Sequence, residues 1–310
     1  MNFLLIIGGL ILLIFGGNSL LKSAVAISLK LNISKIVIGM TVVSFATSAP
    51  ELIVSLNAAL NGFPDLALGN IIGSNIANLG LVLGITLLFG SIKVQKTFYN
   101  TNWPVMIMAS LLLYLFLGFD NIIVRYEGII LFTCLIIFLI YLLRFQKSKE
   151  VEEFSKEKDS LSVYKIVLFL IIGGSGLWAG SELLVLGATS LAQEFGVSER
   201  IIAVTIVSFG TSIPELTTSL IAVLNKEKAI SLGNLLGSNI FNILAVLGIT
   251  SIITPVELFD QGLLTNDIFW MLGISFLLLP LVMLSKRNQL SKRDGVILLI
   301  IYCAFIYTAI

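Results

Sequence analysis

The chain has 310 residues, 57% of them apolar and only 12% charged, with a mean hydropathy of +1.04. Soluble domains carry about 25% charged residues, so this composition belongs in a bilayer. A net charge of +1 recommends neither nucleic acid nor an acidic partner, and the absence of histidine removes the commonest general base and transition-metal ligand.

Crossing about 30 Å of hydrocarbon takes about 20 residues. Apolar runs of that kind lie at 3–21, 36–61, 66–90, 103–119, 124–143, 165–185, 200–224, 229–253, 267–285 and 294–310. The first has neither a basic leader nor a cleavage site, which reads as a retained helix rather than a signal peptide. The expected fold is therefore all-α, a polytopic membrane protein of ten transmembrane helices. Cys134 and Cys303 stand alone in apolar runs and suggest no disulfide or thiolate site.

Span two carries Thr-Val-Val-Ser-Phe-Ala-Thr-Ser-Ala-Pro-Glu-Leu at 41–52. Between Lys35 and Asp65 its Glu51 is the one charged residue, and an acid at that depth costs about 2.5–3.5 kcal/mol on insertion scales. Pro50 has no N–H, so the carbonyl of Ala46 loses its helical partner and the helix breaks nearby. Ser48 and Glu51 have capping-box spacing, which suits a half-helix restarting there. Span three follows with Leu-Gly-Asn-x-x-Gly-Ser-Asn-Ile-x-Asn at 68–78, placing Asn70, Ser74 and Asn78 four apart on one helical face.

Residues 145–164 form a Lys-, Glu- and Ser-rich linker, too short for a folded domain. Beyond it the chain repeats itself. Residues 205–216 match 41–52 at 9 of 12 positions, and 232–242 match 68–78 at 8 of 11, both at an offset of 164. Two matches in one register mark an internal duplication. The duplication gives Glu215, Pro214 and Ser212 the roles of Glu51, Pro50 and Ser48, with Gly210 in place of Ala46, and sets Asn234, Ser238 and Asn242 on span eight. The units are residues 1–144, the linker 145–164, and residues 165–310. Five spans per repeat, an odd number, force the two repeats into opposite orientations in the membrane. With the N-terminus outside, seventeen of the 19 Lys and Arg flank cytoplasmic span ends, leaving Arg125 and Arg200 outside. That bias places both termini extracellularly and the linker in the cytoplasm.

The oxygens these motifs supply are carboxylate, hydroxyl, amide and carbonyl. They are hard ligands, suited to Ca²⁺, Mg²⁺ or Na⁺ rather than zinc, copper or iron. Two carboxylates in low dielectric need a cation or a proton between them, and their joint charge of −2 matches one divalent ion. Mg²⁺ holds its waters tightly, so flexible protein oxygens favour Ca²⁺.

The doubled Thr-Ser-x-Pro-Glu and Gly-Ser-Asn-x-x-Asn segments resemble the alpha-repeats of the cation/calcium exchanger superfamily, in its prokaryotic sodium/calcium exchanger branch. The resemblance implies an antiporter that normally extrudes Ca²⁺ in exchange for Na⁺ by alternating access, without enzymatic activity, cofactor or obligate protein partner. It implies a Ca²⁺ site of the Glu51 and Glu215 carboxylates with the Thr47 and Thr211 carbonyls. For Na⁺ it adds Ser48, Ser74, Ser212 and Ser238, the carbonyls of Ser44 and Ser208, and Asn78 and Asn242 at the centre. The first and sixth spans would move against the other eight. Two departures stand out: Ala46 replaces the usual glycine, and position 242 is Asn where potassium-dependent members carry Asp.

A calcium/proton antiporter is the alternative, since buried glutamates can carry protons. The proton-coupled branch, however, has a glutamate in its Gly-Asn-x-x-Glu-like segment, where this chain has Gly73 and Gly237. An intramembrane serine protease lacks its base here. A channel fits broken inverted repeats less well than alternating access does.

Overall fold

The computed structural model describes residues 2–145, 161–195, 208–285 and 288–309. Among these the helices are α1 (Asn2–Leu31), α2 (Lys35–Thr47), α3 (Ala49–Leu60), α4 (Pro64–Phe89), α5 (Phe98–Asp120), α6 (Arg125–Phe145) and α7 (Val163–Glu194). After them come α8 (Ser208–Gly210), α9 (Ile213–Leu224), α10 (Lys228–Ile253), α11 (Leu263–Met283) and α12 (Lys292–Ala309). Among the described residues seven helices are long and apolar enough to cross a membrane, and eight if α2 and α3, bent by 45°, form one broken span; α9 and α12 fall on the two remaining apolar runs of the sequence. Among the described residues the fold is all-α apart from four two-residue strands: β1 (Ile92–Lys93), β2 (Ile122–Ile123), β3 (Val256–Glu257) and β4 (Gln289–Leu290).

Several boundaries differ from expectation. Spans one and six run on to Leu31 and Glu194, because residues 22–31 contain no Gly or Pro and the helix stops only at Asn32, in left-handed backbone at φ 52°. The second repeat also starts earlier, at Val163, where the Ser162 hydroxyl accepts the Lys165 N–H at 3.4 Å. The body of the expected linker (146–160), the start of span seven (200–207) and Lys286 and Arg287 lie outside the described residues.

Contacts divide the chain into two compact units: Met1–Thr47 with Leu142–Asn234, and Ser48–Tyr141 with Leu235–Ile310. The first is organised around α1 and α7. A Cβ on Gly16 would sit 2.7 Å from the Leu177 nitrogen, and one on Gly180 would sit 2.8 Å from the Leu13 nitrogen. Gly9 meets Leu184 in the same way, at 2.8 Å, and Gly173 meets Leu20 at 2.6 Å. Partner numbers fall as α1 is climbed, so the helices are antiparallel. Adding 164 to one member of the 16–177 contact and subtracting it from the other yields 180–13, and 9–184 becomes 173–20. Each contact is thus the image of another, the signature of equivalent helices related by a twofold axis across their length. Only glycine allows backbones this close.

The second unit repeats the pattern. Strand β1 pairs antiparallel with β4, and β2 pairs antiparallel with β3, each ladder joining one repeat to the other. A Cβ on Gly295 would lie 2.7 Å from the Gly84 carbonyl, and one on Gly128 2.8 Å from the Gly248 carbonyl. The architecture is two inverted five-helix repeats. Burial ranks the spans: 78% of the apolar window of α4 and 83% of that of α10 are inside the protein, against 33% for α1. The two helices carrying the Gly-Ser-Asn motif are therefore the most buried of the long spans.

Candidate functional site

The break in span two falls where proline placed it. Ser48 closes α2, and α3 restarts with Pro50 in its first turn; Ser212 and Pro214 do the same for α9. The capping box does not form. Ser48 has φ −86°, ψ 2° and Ser212 φ −89°, ψ 0°, far from the extended backbone that turns a cap hydroxyl onto the following N–H groups, and neither side chain makes a cap bond. Both hydroxyls are buried without a hydrogen-bond partner among the described residues. The carbonyl released by Pro214, that of Gly210, accepts the Ser181 hydroxyl of α7 at 2.6 Å. The equivalent of Ser181 in the first repeat is Gly17, which has no hydroxyl to offer Ala46.

In the first unit, Ser44, Thr47, Ser212 and Glu215 are all buried, and Thr211 is half-buried in the turn before α9; of Ser208 only the backbone is described. Ser44 donates to the carbonyls of Gly39 and Asn234, at 2.8 and 2.9 Å. Thr47 Oγ1 donates to Asn234 Oδ1 at 3.2 Å, and Asn234 Nδ2 donates to Ser219 at 3.2 Å. This chain of bonds ties α2, α10 and α9 around the restart that carries Glu215.

In the second unit, Ser48, Glu51, Ser74, Asn78, Ser238 and Asn242 are all buried. Asn70 Nδ2 donates to Ser55 at 2.9 Å and to the Glu51 carbonyl at 3.4 Å, bracing α3 against α4. The Asn70–Ser55 bond is the repeat image of Asn234–Ser219. At Asn78 the helix widens into a π turn, Asn78–Val82, and again at Asn242, into Asn242–Leu247. Such turns re-aim side chains and are frequent at functional sites. Neither side-chain atom of Asn78 has a hydrogen-bond partner, nor does Asn242 Oδ1, among the described residues.

Sequence reasoning missed Ser55, Ser219, Asn75 and Asn239 as parts of this framework. All four are identical between the repeats: Asn75 and Asn239 lie inside the second motif itself, and Ser55 and Ser219 are reached by extending the first motif a few residues further. The π turns carry no local sequence signature. Among the described residues no group of three or more His, Cys, Asp or Glu comes together. Charge in these motifs is thus limited to Glu51 and Glu215, and the other oxygens are neutral. That set fits hard cations in passage, since a partly dehydrated ion needs oxygen acceptors with no competing donors.

Residues 1–144 and 165–310 match the family model described as sodium/calcium exchanger protein. CaxA of Alkalimonas amylolytica is 38% identical, over 96% of this chain and 95% of its own length. Inner membrane protein YrbG of Escherichia coli is 33% identical, over 98% and 96%. A solved structure of the sodium-calcium exchanger NCX_Mj, soaked with zero Na⁺ and Ca²⁺, superposes with a TM-score of 0.85 at 29% identity, covering 100% of this chain and 99% of that one.

Proposed function

The chain belongs to the sodium/calcium exchanger protein family, and from that premise we propose that its two motif pairs supply the ligands of the transported ions. It is a multi-pass membrane protein and a secondary active antiporter, exchanging Na⁺ for Ca²⁺ by alternating access. In the proposed site Ca²⁺ takes the carboxylates of Glu51 and Glu215 and the carbonyls of Thr47 and Thr211. Na⁺ competes through Ser48, Ser74, Ser212, Ser238, Asn78 and Asn242, with the Ser44 and Ser208 carbonyls. Net transport runs toward Ca²⁺ extrusion. Residues 1–144 and 165–310 act as the two repeats, joined by a cytoplasmic linker at 145–164, with both termini outside.

One observation carries the ligand assignment. Buried acceptors without a protein donor among the described residues occur at repeat-matched pairs, Ser48 with Ser212 and Asn78 with Asn242. Leaving such a group without any partner costs about 1–3 kcal/mol, and a cation supplies the missing interaction.

The test is Ca²⁺ binding to purified Glu51→Gln and Glu215→Gln. Each variant leaves one carboxylate for a divalent ion, so binding falls by at least about a hundredfold, the worth of one buried charge-assisted contact. Folding survives, because losing a buried charge relieves desolvation. Near wild-type binding in either variant would refute the two-carboxylate site.

A further inference from the structure

We propose that Asn75, a residue outside the ligand set above, sets the orientation of Asn242 and so decides which end of that amide a cation meets. The inference rests on Asn242 being a sodium ligand. An asparagine amide has one end that accepts and one that donates, and only the oxygen can face a cation. Something must hold it that way round.

The structure supplies a directional relay. Asn242 Nδ2 donates to Asn75 Oδ1 at 3.2 Å, and Asn75 Nδ2 in turn approaches the Met271 sulfur at 3.6 Å. A thioether only accepts. It therefore draws the Asn75 NH₂ toward itself and turns the Asn75 oxygen toward Asn242. The Asn242 NH₂ is then taken up by Asn75, and its Oδ1, buried and with no donor among the described residues, is left for the ion. The Asn75 main chain is held as well, its carbonyl accepting Asn239 Nδ2 at 3.1 Å. Asn75 and Asn239 are repeat equivalents, yet their bonds differ. Asn78, the equivalent of Asn242, has no hydrogen-bond partner at either end of its amide among the described residues. The lock thus breaks the internal symmetry and acts on the second repeat alone.

Asn75 is a positioning residue, and two backgrounds separate that role from packing. Asn75→Leu lets the Asn242 amide turn, so the half-saturating Na⁺ concentration rises roughly threefold to tenfold, the worth of one hydrogen bond. The maximal rate and the half-saturating Ca²⁺ concentration stay close to wild type. Calcium–calcium exchange without sodium reports that the variant folds. In Asn242→Asp both side-chain oxygens are acceptors and no amide is left to orient, so adding Asn75→Leu there brings no rise in the half-saturating Na⁺ concentration, leaving it unchanged or lowering it by removing the Asn75 oxygen from opposite a carboxylate.

An equal penalty from Asn75→Leu in both backgrounds, or no penalty in the parent, overturns the positioning role. The ligand assignment is tested apart from it by Asn242→Ala. If that variant leaves the Na⁺ dependence unchanged, the underlying site reading fails, whatever Asn75 does.

Discussion

Ser48 and Ser212 sit where helices begin, yet neither caps one. A capping serine replaced by alanine costs about 1 kcal/mol of stability. Here the backbone at both positions turns the hydroxyl away from the helix start, so Ser48→Ala and Ser212→Ala should shift the thermal midpoint by little, less than about half of that figure. Their effect should appear in transport, as an approximately tenfold rise in the half-saturating Na⁺ concentration from the loss of one neutral ligand of a charged species. A large loss of stability with unaltered Na⁺ dependence would make them structural residues after all. The spacing of Ser-x-x-Glu made the wrong prediction because it encodes only which groups are near each other. The φ and ψ that decide the bond are imposed by the proline between them and by the packing of two broken spans.

Among the elements, α1 and α7 stand apart: they are long, largely lipid-exposed, and joined to each other along a glycine seam. In the reading above they slide as a pair past the remaining spans. Beyond that seam, Gly17 of α1 faces Ile221 of α9, which carries a motif glutamate at its start. Cysteines at Gly17 and Ile221, oxidised in a background lacking Cys134 and Cys303, should stop exchange while leaving equilibrium Ca²⁺ binding intact, and reduction should restore turnover. Full turnover in a verified crosslinked protein would remove α1 from the moving part. Span existence was legible throughout, since about 20 apolar residues in a row can hardly be anything else. The ends of α1 and α7 were not, because amphipathic helix continuing past the hydrocarbon changes hydropathy without changing backbone preference. The π turns at Asn78 and Asn242 were also invisible, being a compromise between helix and tertiary contact rather than a local propensity.

At the scale of the whole molecule, duplication made the architecture readable. An odd number of spans per repeat dictates inversion, and the mirrored contacts of α1 with α7 and of β1–β4 with β2–β3 are its structural counterpart. The proposed orientation in the membrane rests on lysine and arginine: seventeen of 19 lie at one set of the expected span ends. Single cysteines at Ser160 and Thr308 in the cysteine-free background should respond oppositely to an impermeant maleimide on intact cells, Thr308 labelling and Ser160 not. The reverse pattern would turn the protein over and exchange its inner and outer faces.

Charge also fixes what the whole molecule should do electrically. In the proposed site Glu51 and Glu215 would balance one Ca²⁺, whereas about three Na⁺ would leave one positive charge in excess, so an exchange of that ratio should move charge across the membrane. With Asn rather than Asp at 242, no further carboxylate is present there to recruit potassium. The most direct test is uptake of calcium-45 into proteoliposomes of the purified protein under an outward sodium gradient, an outward proton gradient or neither, at clamped voltage with choline replacing external potassium. Uptake should follow the sodium gradient alone and be unchanged by the loss of potassium. Uptake driven by the proton gradient in the absence of sodium, or a strict requirement for potassium, would contradict the assignment.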